Sequence, residues 1–494
     1  MFVHDLIYRG KAKDIAIISG TQKITYKELQ ENVAICRSLF YSQGIRLHDT
    51  IAIFSRNSAE YIYAYMAAAS LGAVVVPINF QLSNREIVYI LKDSSIHYII
   101  TYKPLELSAE LSVQDYTGKL RQLLTSCLLD QAGLPKAPAL PDDFDDRQDC
   151  VIIYTSGTTG SPKGAVLSHK NLICDAAMFE NVLCVNNTDN VLCVLPMYHC
   201  FAWTCAVLNP LYGGAAITIL DSFSPKETAE TIRMHSISVL YVVPSICSLL
   251  SRLTPKEDLK SVRIVVIGGT TLPMQIARDF STKFGLAIAE GYGLSEASPV
   301  VSVNPPGKEK VGSIGLPLPG IDVKIIDSNG KKVAQGESGE LLVRGDNVMR
   351  GYWNLPEATA LTIRDGWLYT SDIARMDEDG YLYIVDRLKD LIISMGENIY
   401  PREIEELIYS YEGITEASVI GIDDRLRGQV GVCFYCAPAD VEINIRSLKQ
   451  YLQTNLALYK IPRDFKRIKE LPKTSTGKIS KIELRKIYLA GKEK

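Results

Sequence analysis

Charge of one sign is what the sequence most plainly lacks: 53 lysines and arginines stand against 56 aspartates and glutamates, a formal net charge of −3. This balance leaves no basic footprint for nucleic acid and no strong acidic field. The 11 cysteines are odd in number and scattered through 494 residues, which excludes a disulfide scaffold, so reduced, buried thiols in a cytoplasmic protein are expected. Cys433-Phe-Tyr-Cys436 spells C-x-x-C, but it lies in an apolar strand-like run, where residues three apart point to opposite faces. No redox or metal role is expected there. The start, Met1-Phe-Val-His-Asp5, lacks the basic-then-apolar order of a signal peptide. Two long uncharged stretches, 61–84 and 191–220, are interrupted by Gly72, Pro77 and Asn79 and by Pro196, Pro210 and Gly213. Neither reads as a spanning helix, and each reads as a buried helix-plus-strand unit. Peripheral membrane contact through a surface patch stays open. A Walker A loop is also missing, since no glycine is followed after four residues by Gly-Lys-Ser/Thr.

Alternating helical and strand patterns fill residues 1–150 and continue from 165 to 330, which predicts an α/β fold. Thr25-Tyr-Lys-Glu28 is a capping box, followed by the apolar helical stripe Leu29, Val33, Cys36 and Phe40. Thr50–Phe54, 72–77 and Tyr98–Thr101 read as strands, and Pro135–Asp146 reads as an exposed connector. Residues 336–387, rich in Gly, Asp and aromatics, read as antiparallel sheet with tight Asp-Gly turns, and Gly351-Tyr-Trp is taken as structural. After Arg387 the composition shifts to a smaller α/β unit, where Pro401 opens a helix.

The most informative stretch is Tyr154–Gly164, which joins three glycines, five hydroxyl side chains and one lysine in eleven positions. Gly157, Gly160 and Gly164 let main-chain N–H groups turn toward one anion. Thr155, Ser156, Thr158, Thr159 and Ser161 add donors, and Lys163 adds a full charge. Such clusters are usually plain surface loops. This one is wedged between the strand patterns Val151-Ile-Ile and Ala165-Val-Leu, which places it at the end of a sheet. Ile264–Thr270 is a buried strand ending in Gly268-Gly269, where a flat ligand can approach bare backbone. In Gly291-Tyr-Gly-Leu-Ser-Glu296, Tyr292 offers a face for adenine, Ser295 a hydroxyl for phosphate and Glu296 a carboxylate for Mg²⁺. Asp372 and Arg387 are candidates for the hydroxyls of a ribose. His199, set among the bulky apolar groups of Leu195–Trp203, reads either as pocket lining or as core. Pro472–Lys478 by itself reads as a solvated loop.

Together these motifs resemble the adenylate-forming superfamily of acyl-CoA synthetases, luciferases and adenylation domains, in order and spacing along essentially the whole chain. The resemblance implies a large N-terminal domain of sheets and helices, 1–386, and a small mobile α+β cap, 387–494, with a hinge near Lys389. It implies ATP, Mg²⁺ and CoA as reactants: a carboxylic acid is activated as acyl-AMP with release of pyrophosphate, then passed to a thiol. Thr155, Ser156, Gly157, Thr158, Thr159, Gly160 and Lys163 would hold phosphates. Gly268, Gly269 and Tyr292 would flank adenine, and Asp372 and Arg387 would bind ribose. Ser295, Glu296 and Lys478 would be catalytic, with Glu296 on the metal and Lys478 bridging the carboxylate and the α-phosphate. Ser394 and Gly396 would line the CoA channel. Ser371, Lys389 and Gln429 depart from the residues common at those places in the family. Tyr198, His199, Phe201, Trp203, Val243 and Val301 are the expected acyl wall, apolar and without a partner for a second charge. A medium- or long-chain fatty acid is the first expectation, with an aryl acid or an acyl-carrier protein as acceptor as the alternatives.

Overall fold

Thr25 starts the helix Tyr26–Gln43 as the capping box predicts: its hydroxyl accepts from the Glu28 N–H at 3.2 Å, and the Glu28 carboxylate accepts from the Thr25 N–H at 2.7 Å. Leu29, Val33, Cys36 and Phe40 are buried on one face, and Gly44 ends the helix with φ +97°. The uncharged stretch 61–84 resolves into the helix Ala59–Ser70 and the strand Val74–Pro77. No helix among the described residues is long and apolar enough to cross a membrane. The computed structural model describes residues 1–494 except 115, 117, 118, 131, 132, 156–161, 474–478 and 492–494.

The fold is mixed α/β, with four sheets among the described residues. The candidate site residues lie on strands of three of them: β1 (Asp149–Thr155), β2 (Lys163–Ser168), β3 (Ile264–Ile267), β4 (Ile288–Gly293), β5 (Val300–Val303), β6 (Gly351–Tyr352), β7 (Trp367–Met376) and β8 (Leu382–Arg387). β6, β2 and β1 are consecutive strands of a seven-stranded sheet; β5, β4 and β3 are consecutive in a nine-stranded one. β7 and β8 pair in a five-stranded antiparallel sheet, as the Asp-Gly turns predict. The smaller C-terminal part has its own sheet, built on the hairpin Glu416–Asp424 and Gly428–Cys436. Cys433 and Cys436 lie on opposite faces of that strand, in separate apolar clusters, and no two cysteines are joined by a disulfide.

The connector 135–146 is mostly exposed, as expected, but it is pinned at two points. Ala137 and Phe144 are buried, and the Arg37 guanidinium donates to the carbonyls of Ala137 and Pro138. The arginine supplies carbonyl partners that a proline-rich segment cannot find within itself.

The N-terminal segment closes over the start of the helix His169–Leu183. The Val3 N–H donates to His169 Nδ1 at 3.2 Å, and the rings of Phe2, His4, Phe144 and His169 pack together. Burial, opposed by Asp5 and reinforced by Arg37, pushes His4 down to about 4. Burial, reinforced by His4, pushes His169 down to about 3. Both imidazoles are therefore neutral when folded, whereas the unfolded chain takes up protons below about 6.5. Their contribution is whole above that pH and is lost as pH falls toward the folded values. The urea midpoint should drop between pH 7 and pH 5, and His169→Gln should flatten that slope; an unchanged slope would assign the dependence to other groups.

Candidate active site

Main-chain pairing brings β1 and β2 together at the base of the phosphate-type loop, with Thr155 opposite Lys163 and Tyr154 opposite Gly164. A Cβ on Gly164 would lie 2.5 Å from Ile152 Cγ2, so this approach admits only glycine. The Tyr154 hydroxyl bonds Asp93 and Ser94, and Trp353 Nε1 donates to the Asp93 carbonyl at 3.1 Å. The loop base is thus pinned to the end of a neighbouring helix. Ser156, Gly157, Thr158, Thr159 and Gly160 lie outside the described residues, as does Lys478.

β3 ends in Gly268-Gly269 beside β4. A Cβ on Gly268 would come within 3.3 Å of Phe201 Cζ and 3.4 Å of the Gly291 carbonyl, and Gly269 has φ +83°. Bare backbone here leaves a slot between the strands. On β4, the Tyr292 hydroxyl donates to Asp372 Oδ2 at 2.5 Å, and Arg387 Nε lies 3.4 Å from Asp372 Oδ1. Register explains the second contact, since β7 and β8 pair Asp372 directly with Arg387. Burial, then the Asp372 charge, raises the Tyr292 hydroxyl well above its ordinary value, so it stays a donor.

The turn after β4 carries Ser295 and Glu296. Ser295 Oγ is 3.3 Å from Cys200 Sγ, and Glu296 Oε1 accepts from the Tyr352 hydroxyl at 2.8 Å. Among the described residues no three His, Cys, Asp or Glu side chains are grouped to hold a metal ion. Glu296 therefore offers a single carboxylate, and a donor set of that size fits Mg²⁺ arriving on phosphates.

A cavity of about 70 Å³ joins these parts, its wall including Phe179, His199, Phe201, Gly268, Tyr292 and Ser295. A larger one of about 510 Å³ lies beyond β4, around Leu272, Met274 and Glu290. The smaller one is lined by Gly268, Gly269 and residues 291–295 of the candidate motifs. Contacts through Tyr352 bring Lys163 near Glu296, and Tyr292 brings the same turn region to Asp372 and Arg387. The acyl wall is only partly as expected. His199 and Phe201 line the cavity, and the His199 imidazole also accepts from the Phe201 N–H at 3.2 Å. Val243 stands at the rim, 3.8 Å from where a Gly269 Cβ would be. Trp203 instead stacks on Tyr65 in the core, with ring centroids 4.0 Å apart, and Tyr198 packs edge-on against Phe80. Val301 is fully buried and Val300 lines the cavity, because neighbouring strand residues face opposite ways. Phe179, from the helix after β2, is a wall residue that helical spacing marks only as core.

Residues 8–353 match the AMP-binding enzyme family, and residues 403–478 match its C-terminal domain. The chain belongs to this family. It is similar to feruloyl-CoA synthase of Amycolatopsis sp, 36% identical over 481 residues that make 96% of each chain. Similarity to the long-chain-fatty-acid–CoA ligase of Bacillus subtilis (strain 168) is 32% over 94% of this chain and 90% of that one. The structure superposes on ATP-bound MatB from Rhodopseudomonas palustris with a TM-score of 0.92, 27% identity and 99% of both chains covered. This AMP-binding enzyme is an acid–thiol ligase, and its large N-terminal and small C-terminal parts are those of the adenylate-forming fold.

Beyond β8 the chain enters the turn Leu388–Asp390, which carries Lys389. Ser394 is buried at the end of the strand Ile392–Ser394, and Gly396, with φ +85°, makes the following turn. One junction network is invisible in sequence: Asp386 accepts from the N–H groups of Arg387 and Arg402, and Lys481 Nζ lies 3.0 Å from Glu405. Glu290 is likewise unmarked by any motif, yet burial pushes its carboxyl up to about 7 against the pull of Arg402.

Proposed function

We propose that the protein is an ATP-dependent acid–CoA ligase acting on a carboxylic acid with an uncharged, apolar tail. The observation that carries this reading is the meeting of Lys163, Glu296 and the Tyr292–Asp372–Arg387 set around the bare backbone of Gly268-Gly269. Adenine lies between Tyr292 and Gly268-Gly269, and Asp372 accepts from the ribose hydroxyls. Lys163, with Thr155 and the loop to Gly160, takes the β- and γ-phosphates, and Ser295 donates to phosphate. Glu296 would hold Mg²⁺, whose charge offsets that of the phosphates. A carboxylate oxygen of the acid attacks the α-phosphorus, and the bond to pyrophosphate breaks. Lys478 neutralises the charge gathered at that centre. The CoA sulfur, having lost its proton, then bonds the acyl carbon, and AMP leaves with the acyl–oxygen bond electrons.

Two domains, 1–386 and 387–494, divide these steps, with Lys389 at the hinge and Ser394 and Gly396 on the CoA channel. The apolar clusters support that division: those of the large part extend to Ile384, and those of the small part begin at Ile392.

Among the described residues no Asp, Glu, Lys or Arg lines the cavity, so a second charge on the acid would find no partner among them. Phe179 and Phe201 line the cavity, both rings pack on Tyr241 behind them, and the Tyr241 hydroxyl donates to the buried Asn209 at 3.1 Å. That rigid, small space favours a flat aryl acid. A medium- or long-chain fatty acid is the second reading, favoured by the likeness to the Bacillus ligase. ATP–pyrophosphate exchange across aryl acids, fatty acids of graded length and dicarboxylates tests the choice. Aryl acids should drive the fastest exchange and dicarboxylates none. Exchange with long-chain acids alone would overturn the aryl reading, and transfer only to a carrier protein would overturn CoA as acceptor.

A further inference from the structure

Segment 349–353, whose Gly351-Tyr-Trp reads from sequence as structural, ties together the two halves of the phosphate site. Its strand β6 pairs with β2, setting Gly351 opposite Val166 and Tyr352 opposite Ala165. The N–H groups of Arg350 and Trp353 donate to the carbonyls of Val166 and Gly164 at 3.0 and 2.7 Å, and that of Met349 donates to the Glu296 carbonyl at 2.9 Å. One short stretch thus grips both the strand that carries Lys163 and the turn that carries Glu296.

We infer that Tyr352 is a positioning residue for metal-bound ATP, orienting the Glu296 carboxylate through its hydroxyl and the Lys163 ammonium through its ring. The hydroxyl donates to Glu296 Oε1 at 2.8 Å, which leaves Oε2 for a metal ion. The Lys163 Nζ lies 5.2 Å from the ring centroid, inside the range of a cation–π contact. The ring is itself held. The Tyr352 N–H donates to Thr359 Oγ1 at 2.8 Å, and that hydroxyl donates onward to the Leu355 carbonyl at 2.9 Å. A Cβ on Gly351 would lie 2.6 Å from Thr359 Cγ2, so glycine is what lets the helix Pro356–Thr362 come this close. A free carboxylate must lose rotamer freedom as it meets a metal ion; one held by Tyr352 has already lost it.

The inference rests on the ligase reading, and its test separates the two. ATP binding is measured calorimetrically with the full-length protein, without metal and across a Mg²⁺ titration, alongside Mn²⁺ binding followed by water-proton relaxation. Tyr352→Phe keeps the ring and removes the hydroxyl. It should leave metal-free ATP binding within about twofold and raise the metal concentration needed by about 10-fold or more, the size of effect known for partners of metal ligands. Tyr352→Leu removes the ring as well and should also weaken metal-free ATP binding by about 3- to 10-fold. A Tyr352→Phe protein with wild-type metal dependence overturns the inference and leaves the ligase reading intact. Equal losses with and without metal overturn it too, since a general disturbance of the site would give that result. If the wild-type protein binds no ATP, the ligase reading itself fails. Should Tyr352→Leu fail to fold, Tyr352→Phe alone decides the metal half.

Discussion

Lys478→Ala should lower ATP–pyrophosphate exchange by about 10²- to 10³-fold, the loss that follows removal of one donor aimed at developing transition-state charge. The magnitude is large because charge gathers on the α-phosphoryl oxygens in a site from which water is excluded, where one ammonium counts for far more than in solvent. The second half-reaction should be affected much less. Transfer to CoA from a supplied acyl-adenylate, followed in a single turnover, needs no charge at the departing pyrophosphate. Equal losses in both halves would assign Lys478 to general folding of the small domain, and no loss in the first half would remove it from the chemistry.

Asp372→Ala should raise the KM for ATP by about 10²-fold or more, because two ribose hydroxyls each lose a bond to a charged acceptor worth about 1.5–3 kcal/mol. The structure adds a second source of loss. Asp372 accepts from the Tyr292 hydroxyl at 2.5 Å and faces Arg387 Nε at 3.4 Å, so its removal leaves a shielded hydroxyl unpaired and a guanidinium without its carboxylate. Asp372→Asn keeps an acceptor and should fall between alanine and wild type. Tyr292→Phe keeps the stacking face and the carboxylate, and should cost less than about 10-fold. ATP titrations of the three variants check the order; Tyr292→Phe as damaging as Asp372→Ala would shift the main contribution from ribose binding to the tyrosine hydroxyl.

Parts of the site built within one motif were legible because local chemistry dictates them. Gly268-Gly269 ends a buried strand, Tyr292 and Glu296 share six residues, and the capping box at Thr25 names its own partners. Contacts between motifs were not. Phe179 has the spacing of a core helix residue, and only the packing of that helix under β3 and β4 puts it on the cavity wall. Trp203 and Val301 look like pocket residues because they are large or apolar beside a recognised motif. Their neighbours Phe201 and Val300 take the wall instead, since backbone geometry decides which way each side chain faces.

By itself, the sequence determined the family and the α/β class and marked candidate nucleotide-handling groups, because phosphate cradles and strand–turn–helix signals are set by residues close together in the chain. Only the tertiary structure decided how those groups are held. Tyr352 reaches Glu296 and Lys163 through a strand pairing far along the chain, Asp372 meets Tyr292 across two sheets, and aromatic rings from separate elements pack together at the cavity wall. Hydrogen-bond geometry and close packing act over a few ångströms of space, whatever the distance in sequence, so these contacts exist only once the sheets are assembled.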